Sequence, residues 1–206
     1  MQPASRTIHA SRGGGGGAFE EIVEEIVDHG DGSYAASYST PRSGCVLLRI
    51  SLEGVPIRPP LPVVVLPSGT HPPACELSVA ASGSRPAGAF VTLLGARPAA
   101  PPQLESEVGA PLVLLLRSRD RFGNAQSGGG DAWEARLVGG EAGADTEPPS
   151  VADHGDGTYA LTLLSRSAGL FSLEVRLCSA GRLYAPFTCI FKCVDSRACD
   201  RLFVPN

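Results

Sequence analysis

Two stretches of the 206-residue chain set acidic and imidazole side chains close together: Asp28-His29-Gly30-Asp31-Gly32 and Asp153-His154-Gly155-Asp156-Gly157. Carboxylates and an imidazole at that spacing could hold a cation or pass a proton. A calcium loop, however, needs several oxygen ligands and a bidentate carboxylate at set positions, and each stretch supplies two carboxylates. Asp followed two residues later by Gly suits a tight turn better, with the carboxylate accepting backbone amides and Gly taking positive φ. His29 and His154 are therefore expected to be turn residues rather than ligands.

Other chemistry finds less support. No Gly-x-Ser-x-Gly nucleophile elbow occurs, and the remaining histidines are His9 and His71. The glycine run at 13–17 lacks the Gly-Lys-Ser/Thr ending of a phosphate-binding loop. Gly128-Gly129-Gly130 precedes a strand pattern, so it offers an anion no helix dipole. Cysteines at 45, 75, 178, 189, 193 and 199 form no Cys-x-x-Cys pair and no zinc-type cluster with histidine. By strand parity Cys75, with Leu77 and Val79, and Cys189, with Phe187 and Phe191, point inward as small core residues. Cys45 and Cys178 point outward. The expectation is a protein that is not an enzyme, with no catalytic residue, no metal and no cofactor.

Composition narrows the partners. The 17 Lys and Arg against 21 Asp and Glu leave a net charge of -4, so the basic surface that nucleic acid or an anionic membrane requires is missing. The longest apolar runs, 61–66 and 112–116, fall far short of the roughly 20 residues of a spanning helix. No apolar leader of a secretory signal follows Met1, which points to a cytoplasmic protein, the alternative being the extracellular face of a larger membrane protein. Gly and Pro, at 25 and 18 residues, imply a folded chain with many turns.

The elements that would position these residues come in two copies. Asp28 to Tyr34 recurs as Asp153 to Tyr159, 125 residues on, with Ser33/Thr158 the one difference. The same offset places Ile8 on Trp133, Gly44 on Gly169, Leu48 on Leu173 and Ile50 on Val175. Alternation of Tyr159, Leu161 and Leu163 with Ala160 and Thr162, and of Phe171, Leu173, Val175 and Leu177 with polar residues, has the period of half-buried strands. Residues 19–27 could read as helix, but the second copy carries Pro148-Pro149 there, so loop plus strand is expected. Pro59-Pro60-Leu61-Pro62, of polyproline type, is expected to serve structure, lying by the offset beside Ala185-Pro186-Phe187. Short strands between Gly, Asp and Asn turns indicate an all-β antiparallel sandwich.

Asp120-Arg121-Phe122-Gly123-Asn124, Gly129-Gly130-Asp131, the Asp153 to Tyr159 turn, Ala168-Gly169-Leu170-Phe171 and Ala185-Pro186-Phe187 together resemble the filamin repeat. That resemblance implies an immunoglobulin-like sandwich of strands A to G, complete over 75–194 and partial, strands C to G, over 1–66. Residues 67–74 would be a linker and 195–206 a tail. Strands A and B of the first copy would precede it, so the chain reads as a fragment.

The resemblance also implies a function: a non-catalytic interaction or spacer module of a cytoskeletal scaffold, taking protein partners as extended peptides, with an indirect link to actin. Alternatively it implies the repeat portion of a ubiquitin ligase or of a gamete-surface adhesion protein. Strands C and D, near 132–138 and 150–152, would be edges of opposite sheets, and an edge can pair with an added strand. The implied peptide site is Ala132, Trp133, Glu134, Ala135, Arg136, Leu137 and Val138 with Ser150 and Val151. Glu134 and Arg136 are charges that would instead guard such an edge.

Overall fold

The computed structural model describes residues 6–12, 20–21, 23–52, 54–79, 103–140, 144–179, 182–183 and 187–194. The chain divides into two compact units, 1–67 and 68–206. Unit 1 comprises β1 (Arg6–Arg12), β2 (Glu20–Glu21), β3 (Val23–Asp28), β4 (Tyr34–Tyr38), β5 (Gly44–Leu52), β6 (Val55–Pro56) and β7 (Leu61–Val65). Unit 2 comprises β8 (Glu76–Val79), β9 (Gln103–Glu107), β10 (Leu112–Arg117), β11 (Trp133–Gly139), β12 (Ser150–Asp153), β13 (Thr158–Leu163), β14 (Gly169–Ser179), β15 (Arg182–Leu183) and β16 (Phe187–Val194).

Unit 2 is a sandwich of two sheets. One runs β12-β13-β10-β8, the other β11-β14-β16-β9 with β15 on β14. The period-two apolar pattern explains the layering, since alternate residues of a strand leave opposite faces. Leu77, Leu114, Leu116, Tyr159, Leu161 and Leu163 enter the core from the first sheet. Leu104, Trp133, Phe171, Leu173, Val175, Leu177, Phe191 and Cys193 meet them from the second. Strand β9 pairs in parallel with β16, so the chain crosses from one sheet to the other between β8 and β10.

Unit 1 repeats part of this plan. A sheet β2-β1-β5-β6 also carries β7 on β5, and β3 pairs with β4. Residues 23–28 form strand, not helix, as the prolines of the second copy foretell. The β3–β4 pairing keeps the register of its counterpart, Asp28 on Tyr34 as Asp153 on Tyr159. Elsewhere the copies differ. Ile8 faces Ile50 whereas Trp133 faces Leu177, a slip of two residues that keeps the period-two phase of the ladder.

The final strands also depart from the constant offset. Val65 faces Gly44 and Cys193 faces Gly169, so Leu61 corresponds to Cys189 and Pro59 to Phe187; the second copy carries three extra residues before its last strand. Pro62 lies in β7, which pairs with β5 alone among the described strands, the edge setting in which proline costs no ladder bond. Cys75 is buried as expected, but Val79, on the outermost strand of its sheet, is exposed although it lies opposite the buried Leu114. The side chain of Cys189 and all of Cys199 lie outside the described residues.

Candidate functional site

Each Asp-His-Gly-Asp-Gly stretch is a turn whose carboxylates accept hydrogen bonds within the turn. Asp153 Oδ1 accepts Gly155 N–H at 2.7 Å, and Asp156 Oδ1 accepts both N–H and Oγ1–H of Thr158, at 2.9 and 2.6 Å. Asp28 and Asp31 do the same for Gly30 and Ser33. Gly30, Gly32, Gly155 and Gly157 all have φ between 76° and 89°, the region that costs a side chain most. The hydrogen bond from the hydroxyl of Ser33 or Thr158 is the main reason Asp31 and Asp156 are held below the usual carboxylate range. His154 Nδ1 lies 2.9 Å from Thr158 Oγ1. Among the described residues no three His, Cys, Asp or Glu side chains converge as metal ligands.

A second carboxylate hub lies in the Asp120-Arg121-Phe122-Gly123-Asn124 turn. Asp120, 1% exposed, accepts Ser68 N–H, Phe122 N–H, Asn124 N–H and the Asn124 side-chain amide at 2.9 to 3.0 Å. Burial pushes this carboxyl up, but the hydrogen bonds, that from the Asn124 side chain foremost, outweigh it and hold it below the usual value. The sequence places Asp in this turn, but its burial shows only when residue 68, distant in the chain, arrives beside it.

The peptide-site residues fall on two edges. β11 begins at Trp133, so Ala132 lies just outside the strand, its carbonyl accepting Cys178 N–H at 2.8 Å. Among the described strands, β11 pairs with β14 alone and β12 with β13 alone. Trp133 is buried, stacked edge-on to Tyr159 with centroids 6.3 Å apart and donating its indole N–H to Ser118 Oγ at 3.3 Å. It belongs to the core and offers no surface at the edge.

Glu134 and Arg136 sit on the outer face of β11. They face outward and pair across to β14, Arg176 Nη2 lying 2.6 Å from Glu134 and Arg136 Nε 2.6 Å from Glu174, as their register dictates. The Arg176 hydrogen bond, with Cys178 second, lowers the pKa of Glu134. Val138 is exposed on that outer face too. Of the nine residues, Ala135, Leu137 and Val151 remain half-buried against the core at the two facing edges, with Ser150 exposed beside them. Gly130 N–H donates to Asp153 Oδ2 at 2.7 Å, tying the loop before β11 to the end of β12.

The phase of the β11 ladder is set at its ends: Cys178 N–H bonds Ala132 O and Gly140 N–H bonds Leu170 O. Antiparallel pairs alternate, so even-numbered residues of β11 bond to β14. The main-chain groups of Ala135 and Leu137 then point to the open side.

Sheets ordered D-E-B-A and C-F-G, read from β8 as A to β16 as G, define an immunoglobulin-like sandwich. No family model matches the chain, and no curated protein matches it by sequence. Similar solved structures include the Escherichia coli adhesin FdeC, at 21% identity over 84% of this chain and 48% of that one, with a TM-score of 0.48. InvD of Yersinia pseudotuberculosis follows at 15% identity over 95% and 48%, with a TM-score of 0.45. Invasin, a bacterial integrin-binding protein, shares 15% identity over 94% and 33%, at 0.36. The chain thus spans about half or less of the length of these structures, 48% of the first two. The filamin resemblance rests on the sequence motifs alone. Among the described residues no helix is long and apolar enough to cross a membrane.

Proposed function

We propose that the chain is a non-catalytic protein-interaction module that takes an extended peptide as an added strand along β11. The observation that supports this reading is an edge strand with main chain open on one side, beside which Ala135, Leu137 and Val151 form a half-buried apolar mouth. A strand docked there would gain affinity from main-chain hydrogen bonds and selectivity from alternate side chains entering the mouth. Two settings use such a module. A cytoskeletal scaffold, linked to actin indirectly, is the role of the family that the motifs resemble; adhesion is the role of FdeC.

Panning a random peptide library against the full chain tests the site. Peptides alternating in apolar residues should be enriched, and Ala135→Pro, which removes one outward N–H, should weaken them about tenfold or more, roughly the worth of a lost hydrogen bond with its register. Undiminished binding to folded Ala135→Pro protein places the site elsewhere. Labelling of intact cells with a membrane-impermeant reagent separates the settings, since only an adhesive module is labelled.

A further inference from the structure

In unit 2 the strand β11 has β14 on one side and, among the described strands, no partner on the other. The corresponding strand of unit 1, β1, carries the antiparallel β2 on that second side, with His9 on Glu21 and Ala10 on Glu20. The plan shared by the two copies thus accepts an antiparallel strand at this edge. Unit 2 presents a particular sequence there, Trp133-Glu134-Ala135-Arg136-Leu137.

That sequence is its own complement. A second copy turned antiparallel about Ala135 sets Arg136 opposite Glu134 and Glu134 opposite Arg136, with Ala135 on Ala135. The ladder phase suits the same axis. The main-chain groups of Ala135 and Leu137 point to the open side, so the two Ala135 residues form a hydrogen-bonded pair and the charged residues fall in the intervening pairs, where side chains stand closer. Trp133 N–H already bonds Asp131 O, and the Trp133 carbonyl, on the open side, faces Leu137 N–H of the second copy. On the outer face Glu134 and Arg136 are more than half exposed and paired with Arg176 and Glu174 at 2.6 Å. Joining two copies extends these pairs into rows of alternating charge across four strands, Arg176 and Glu134 of one copy continuing into Arg136 and Glu174 of the other. On the inner face the half-buried Ala135 and Leu137 keep the seam apolar. Opposite charges directly across an antiparallel pair stabilise it and like charges oppose it, so a strand with the same charges in reverse order is repelled.

We propose that the strand added at the β11 edge is β11 of a second copy of this chain, paired antiparallel about Ala135 to form an isologous two-fold dimer. The inference rests on the reading of β11 as a strand-accepting edge and names its occupant; peptides bound at that edge compete with the second copy.

Sedimentation of the full chain over a concentration series should show a mass rising from one chain toward two, and the amides of Ala135 and Leu137 should exchange more slowly as the dimer forms. Glu134→Arg or Arg136→Glu alone turns both cross-copy pairs into like charges and should weaken the dimer about tenfold or more. Mixing the two variants restores opposite charges at both pairs and should recover a dimer containing one of each, which a merely misfolded variant could not form. A mass that stays at one chain up to about 1 mM overturns the proposal, as does a dimer that both variants leave intact or one that mixing fails to recover. If the chain stays single while library peptides still bind and Ala135→Pro still weakens them, the β11 reading stands and the second copy is excluded as its occupant. If those peptides fail as well, both fall.

Discussion

The carboxylate of Asp120 accepts four hydrogen bonds inside unit 2, so its removal leaves buried donors without an acceptor. Asp120→Ala should destabilise unit 2 by about 3 kcal/mol, the upper end for hydrogen bonds to a charged group, read as a fall in its melting temperature. The folded pKa lies below the unfolded value near 3.8, so the unfolded chain binds the proton more readily and stability rises with pH through this window. The contribution is complete above that unfolded value and is lost as pH falls through the depressed folded one. A pH titration of the melting temperature should show a smaller acid-side fall in Asp120→Asn than in the unaltered chain.

The thiols divide at the same scale. Burial pushes Cys75 up to about 11, and its Sγ contacts the carbonyls of His71 and Arg119, while Cys45 and Cys178 are exposed. Because the thiolate is the nucleophile, alkylation of the folded protein at pH 8 should modify Cys45 and Cys178 while sparing Cys75 and Cys193, as peptide mapping can check. Desolvation and then the Glu134 carboxylate raise the pKa of Cys178, so its alkylation should accelerate as the pH is taken above 8.

At the scale of elements, the turns and edges carry different loads in the two copies. A methyl group on Gly155 meets open space, whereas one on Gly157 would strike the backbone carbonyl of Gln126. Gly155→Ala should therefore cost only the left-handed backbone, about 1–2 kcal/mol, and Gly157→Ala distinctly more; denaturant midpoints of the two variants check the order. In unit 1 the counterpart of Gly157, Gly32, has nothing nearby, so Gly32→Ala should behave like Gly155→Ala. The ladder phase of β11 makes a similar distinction between neighbours. Ala135→Pro removes an outward donor and should leave the sandwich folded, while Val138→Pro breaks a bond to β14 and should lower the melting temperature by several degrees.

Across the whole molecule, the core of unit 2 closes on both faces, with ten of its described hydrophobic residues at 2% exposure or less. Among the described residues of unit 1, only Val46 is buried, at 8% exposure. Two thermal transitions are expected from the full chain, the lower belonging to unit 1. An isolated 1–66 segment should show no cooperative melt, because a half-covered sheet buries too little apolar area to offset the ordering of its backbone. Dispersed amide signals from that segment would contradict this.

The sequence by itself determined the strand content, the two copies and the turns, because each depends on neighbours a few residues apart. Alternation such as Phe171, Leu173, Val175 and Leu177 declares a buried face wherever the strand lies, and Asp153-x-Gly155 and Asp156-x-Thr158 close their own hydrogen bonds. Tertiary structure alone decided what depends on pairing across the chain. Glu134 and Arg136 read in sequence only as outward charges, and the register sets them opposite Arg176 and Glu174. Asp120 acquires its buried role from Ser68, 52 residues away. Tyr34 and Tyr159 sit in nearly identical local sequence, yet one is half exposed and the other fully buried, because among the described strands only the second has a strand such as β10 beside it; burial belongs to the assembled sheet, not to the motif.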